Sequence, residues 1–175
     1  MKQPVDISVV SRNRQRGISM MEVLITILVL AIGLLGLASL QMTSLKQNNQ
    51  SLQRSLATLM AYDLSDRMRA NPLAITDGWY DSPTAEANAN CNTTTGCTPM
   101  DMVKNDFFDW NQALANVLPN GQGFVCIDST PDADVVPADG PDCDGSGNLY
   151  TIYITWTETQ TAAEQVRTFS TSFQP

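Results

Sequence analysis

Glu22 is the one carboxylate in this 175-residue chain that stands at the mouth of a long apolar run, Val23 to Leu40. An ionised carboxylate is costly in hydrocarbon and is retained there for a purpose: it takes up a proton or it meets a cation. Few other residues are equipped for chemistry. The chain has no histidine, which excludes Ser-His-Asp and Cys-His catalysis. None of the remaining carboxylates combines an apolar setting with a partner at a telling spacing. No catalytic residue, cofactor or small-molecule substrate is expected, and the chain reads as a non-enzyme.

Two further groups have ligand chemistry. Cys91, Cys97, Cys126 and Cys143 lie beyond the apolar run. Lys2, Arg12, Arg14 and Arg16 precede that run, leaving six of the ten cations after it. Basic flanks stay cytoplasmic, so the N-terminus is expected inside and the remainder exported. An even cysteine count on the exported side reads as two disulfides. Three pairings are open, and short loop closure favours Cys91–Cys97 with Cys126–Cys143. Without histidine or a CxxC pair, no metal site is expected. Asp142-Cys143-Asp144-Gly145-Ser146-Gly147 imitates the start of a calcium loop. The twelfth position, where such a loop needs a bidentate Glu, is Tyr153, so the segment reads as a solvated turn.

The elements that must carry these groups follow from periodicity. Residues 1–17 are polar and basic without apolar periodicity. Residues 18–45 are apolar around the whole helix and long enough to span a bilayer, which takes roughly 20 residues. Residues 46–71 continue the helix with one striped face: Leu45, Leu52, Leu56, Leu59, Met60, Leu64 and Met68. Asn71-Pro72 is the predicted stop. Residues 72–175 make an exported globular part with a loop over 72–97. A helix over 98–118 follows, with Thr98 as cap and Val103, Phe107, Trp110, Leu114 and Val117 as its core face. Antiparallel strands are predicted at about 123–128, 149–157 and 166–173. The striped half of the long helix is the expected cover for the sheet. An acidic exported part, with 18 Asp+Glu against 10 Lys+Arg in the chain, argues against nucleic acid.

The junction Arg16-Gly17-Ile18-Ser19-Met20-Met21-Glu22 closely resembles the class III signal of type IV prepilins. The segments Asp63 to Pro72, Asp109-Trp110 and Leu118-Pro119-Asn120-Gly121 resemble the PilV-like minor pilins, the type IV pilus modification proteins. The resemblance implies an α+β fold with one long N-terminal helix on a small antiparallel sheet. It implies a prepilin peptidase that cuts between Gly17 and Ile18 and N-methylates Ile18. It also implies insertion in the inner membrane, then assembly with other minor pilins and the major pilin, to prime or cap a pilus at the cell surface. Ile18 stands where Phe is commonest, and the helix lacks the proline that kinks many major pilins. Cleavage would place a cationic amine on Ile18, with Glu22 as the fifth mature residue, and the two charges relieve each other in apolar surroundings.

Two other readings compete. A minor pseudopilin of a type II secretion system is built from the same parts. A secreted or periplasmic binding domain with an ordinary signal peptide would instead be cut after Ala38, where Gly36-Leu37-Ala38 offers small residues. Glu22 has no place in that last reading.

Overall fold

The computed structural model describes residues 17, 19–131, 140–159 and 164–174. Its elements are α1 (Met20–Ala70), α2 (Pro72–Thr76), a 3-10 turn (Ala89–Asn92), α3 (Pro99–Val117), β1 (Gln122–Ile127), β2 (Tyr150–Thr159) and β3 (Glu164–Phe173). This is the expected α+β fold: a long N-terminal helix, a small antiparallel sheet and a shorter helix. The chain divides into two compact units, Met1–Ser44 and Leu45–Pro175.

In the first unit the described part of α1 is exposed throughout its apolar run. In the second unit the sheet has the order β1-β2-β3 with both pairings antiparallel. Val125 lies opposite Ile152, and Ile152 opposite Thr171. Tyr150, Ile152, Ile154 and Trp156 of β2 share one face because alternate residues point the same way. They join Leu64 and Met68 of α1, and Val103, Trp110 and Leu114 of α3, in one core. The opposite face of β2 is buried as well. Tyr153 packs with Cys126, Phe124 and Cys143 in a second cluster, so the central strand is covered on both sides.

The buried face of α1 departs from the expected leucine stripe. Ala57, Ala61, Leu64, Ser65 and Met68 are buried, whereas Leu45, Leu52 and Leu59 are 70%, 59% and 60% exposed. At 3.6 residues per turn, Leu59 sits roughly 160° around the helix from Ala61. Small residues face the core because the helix backbone comes close to α3: the Trp110 indole Nε1 donates to the Met60 carbonyl at 2.8 Å. Arg67 of α1 adds a second tie, 3.0 Å from Asp63 on its own helix and 3.3 Å from Asp106 on α3. Burial raises the Asp106 carboxyl above its usual range, against the opposing pull of Arg67.

Asn71-Pro72 ends α1 and at once starts another helix. The Asn71 side chain accepts from the Ala74 N–H at 3.4 Å, and Pro72 opens α2. The expected loop over 72–97 thus contains α2 and the 3-10 turn, and it is strapped to its neighbours. Ser82 N–H donates to the Val125 carbonyl at 3.0 Å, and Ile127 N–H to Asp81 at 2.9 Å, which closes the outer edge of β1. Lys104 pairs with Glu86 at 2.9 Å, and the Asn105 side chain accepts from Asn88 N–H at 2.8 Å. The α3 cap is as read: Thr98 accepts from Asp101 N–H at 3.1 Å. Val117 is 38% exposed, however, and Leu118 takes its place in the core.

Two substitutions test this packing. A Cβ at Gly123 would lie 2.1 Å from the Trp110 ring, so Gly123→Ala is expected to cost about 1–3 kcal/mol in a denaturant melt. Tyr80 is fully buried and its hydroxyl has no partner among the described residues. Burial, with Asp106 adding, pushes its phenol up to about 12. A folded phenol that keeps its proton longer contributes stability that is complete below about pH 10 and lost as the pH rises towards 12. Tyr80→Phe should therefore melt within about 0.5 kcal/mol of the parent at neutral pH and lose less stability across that alkaline window.

Candidate processing and assembly site

The junction is built on a helix start. The Ser19 carbonyl accepts from the N–H of Glu22 at 2.9 Å and of Val23 at 3.3 Å, opening α1 at Met20. Glu22 falls in the first turn, where the positive end of the helix dipole favours a carboxylate. It is exposed, and so is every residue after it to Leu40. Gly17 is exposed too, and a Cβ there would meet nothing within 4 Å. Neither packing nor a left-handed backbone demands glycine at that position, so any need for it arises in whatever engages the chain. Ile18, named for cleavage, N-methylation and the charge pair with Glu22, lies outside the described residues, as does most of the 1–17 leader.

The apolar segment at the start of α1 is long and apolar enough to cross a membrane, and none of that window is buried. Buried core helices of soluble domains hide such a face. This one is left exposed among the described residues, which makes it a surface suited to lipid or to other helices.

The four cysteines lie in the second unit and serve the fold. Cys91 is bonded to Cys97 and Cys126 to Cys143, closing loops with sequence separations of 6 and 17. The second bridge pins the segment after β1 over the outer face of the sheet, beside Tyr153. Two acidic residues of that segment, Asp128 and Asp144, are engaged in hydrogen bonds close by. Asp144 accepts from Ser129 N–H at 3.1 Å, from the Ser129 hydroxyl and from Ser146 N–H at 2.8 Å. The Ser129 hydroxyl, followed by the backbone donors, holds the Asp144 carboxyl below its usual range. Asp128, fully buried, accepts from Thr130 N–H at 2.9 Å and from the Tyr153 hydroxyl. Tyr153, which stands where a calcium loop begun at Asp142 would need its twelfth ligand, is instead a hydrogen-bond donor to Asp128, just after β1. Among the described residues no three potential metal ligands gather.

Two clefts escaped the reading of the sequence. One of about 820 Å3 is walled by Phe107, Phe124, Asn111 and Pro83. Another, of about 510 Å3, lies between α1 and the β2–β3 hairpin and brings together Arg54, Arg167, Glu158 and Trp156. Their walls come from segments more than a hundred residues apart in the second case. No local spacing announces such a meeting.

Comparison with known proteins matches the two ends of α1 to different families. Residues 12–38 match the prokaryotic N-terminal methylation motif, which brackets Gly17 and Glu22. Residues 39–108 match the Tt1218-like family, type IV pilin Tt1218. No curated protein and no solved structure matches the chain. Over residues 12–108 the chain is therefore similar first to the N-terminal methylation motif and then, directly after it, to a type IV pilin family. That motif implies processing by a prepilin peptidase and assembly with other pilins.

Proposed function

We propose that this chain is a minor pilin of the PilV kind. It is held in the inner membrane by residues 18–45 with its N-terminus in the cytoplasm and its globular part in the periplasm. A prepilin peptidase cuts after Gly17 and methylates Ile18. The mature protein then joins other minor pilins and the major pilin to prime or cap a type IV pilus. The observation that carries the proposal is the methylation motif over residues 12–38, set on a helix whose apolar window is not buried among the described residues.

The physical logic begins with the new amine. In apolar surroundings a lone carboxylate or ammonium is costly, and pairing relieves both. Glu22 opens its helix exposed, so the amine of a neighbouring subunit has access to it. The pair then acts as a register pin during insertion into the fibre. The exposed leucines Leu45, Leu52 and Leu59 continue the need for neighbours beyond the apolar run. Their seven-residue spacing suits a seam between helices.

Intact-mass measurement of the mature protein tests the first step: it should begin at Ile18 and carry one added methyl group. A start at Ser39 would identify an ordinary signal peptide and end this reading. Gly17→Val should leave uncut precursor in the inner membrane. Glu22→Ala should be exported and cleaved but fail to enter fibres normally, measured as its level in sheared pili against its level in membranes. Parental incorporation of that variant would remove the register-pin role.

A further inference from the structure

Six cations follow Leu40, and five of them have partners. Arg67 pairs with Asp63 and Asp106, Arg69 with Asp66, Lys104 with Glu86, and Arg167 with Glu158. Lys46 is partnered as well. Among the described residues Arg54 alone has none. It is exposed on α1 and lines the cleft of about 510 Å3 with Gln47, Gln50, Ser51, Trp156 and Arg167. Every one of these side chains donates hydrogen bonds. The Trp156 indole Nε1 is buried and meets no hydrogen-bond partner among the described residues. The single acid on the wall is Glu158, 8% exposed, which accepts from Arg167 Nε at 2.9 Å. Two guanidinium groups against one carboxylate leave the lining of the cleft with one positive charge in excess.

We propose that this cleft is a docking site for a carboxylate side chain of a neighbouring acidic protein chain, with Arg54 as the group that receives it. Arg167 already holds one carboxylate on the same wall. Arg54 offers an identical planar fork, which matches a second carboxylate in two parallel hydrogen bonds. Charge makes the partner a protein of this chain's own character. Sixteen of the 18 acids but only six of the ten cations lie beyond Leu40, so domains of such composition repel one another. Contact between them is eased where a cation remains unclaimed, and Arg54 is that cation. The identity of the neighbour as another pilus subunit rests on the function proposed above; the carboxylate chemistry of the cleft does not.

Two experiments on the full chain separate these layers. In detergent, with the chain labelled with 15N, the Trp156 indole resonance is followed while a triglutamate peptide is added. A saturable shift is expected in the parent and not in Arg54→Glu. A parent resonance that does not move, or one that moves only with vesicles of phosphatidylglycerol, overturns the carboxylate site. In the cells that make the protein, Arg54→Glu should match the parent in membrane level and melting temperature, because Arg54 is exposed. Its level in sheared fibres should fall about tenfold, as for a like-charge contact at an interface, while Arg54→Lys stays within about twofold. Parental incorporation of Arg54→Glu overturns the docking role. Absence of the parent itself from fibres overturns the pilus reading, and the peptide titration still decides the cleft.

Discussion

The globular part depends on how closely α1 approaches α3 and the start of β1. The Trp110 indole is the piece that sets that distance. Its N–H donates to a main-chain carbonyl of α1, which requires the helix backbone itself to be near. Its ring fills the space above Gly123, where no side chain fits. Around it, Ala57 and Ala61 supply a face with no bulk. A buried tryptophan brings a large apolar area, and its polar N–H is best placed with a partner. Here the partner joins two elements fifty residues apart. Arg67, held between Asp63 and Asp106, adds an electrostatic tie between the same two helices.

Everything that follows α3 is arranged on this base. β1 passes under Trp110 at its second residue, Gly123, and β2 and β3 extend the sheet from it. The sheet has few strands, so its faces and edges must be closed by other means. One face has α1 and α3. The other has the segment after β1, tied back by Cys126–Cys143 and by the hydrogen bonds of Asp128 and Asp144. The edge at β1 is occupied by Asp81 and Ser82. The disulfides stand in for the larger core that a domain of this size does not have.

The division of labour along α1 suits a protein that changes surroundings. Its first part is apolar on every side and exposed among the described residues. Its second part gives the core Ala57, Ala61, Leu64 and Met68 and turns Leu45, Leu52 and Leu59 outward. A helix that kept its leucines for its own core would bring less apolar surface to an assembly. The processing proposed above would add one more contribution from outside, since an amine to pair with Glu22 would exist only once another protein had cut the chain.

How much of this was legible along the sequence differs from element to element. The Gly17-to-Glu22 junction and its apolar run are local patterns, and local patterns are read without knowing the fold. The Thr98-Pro99 cap, the core residues Val103, Phe107, Trp110 and Leu114, and the alternation of β2 were legible for the same reason: each is a periodicity of one element. Short loop closure also picked the two cysteine pairs that the structure contains. The face of α1 was read in part: Leu56, Met60, Leu64 and Met68 meet the core, but Leu45, Leu52 and Leu59 do not. Ala57 and Ala61 went uncounted because only the position of Trp110 reveals the need for small residues. The second buried face of β2, the helix after Asn71 and the role of Tyr153 likewise depended on which segments returned to cover the sheet. The sequence by itself determined the elements, the membrane-length run and the processing motif, because these are written in neighbouring residues. The tertiary structure alone decided which face of α1 is buried and that Arg54, Trp156 and Arg167 share a cleft, because contacts between distant segments follow from packing distance and not from spacing along the chain.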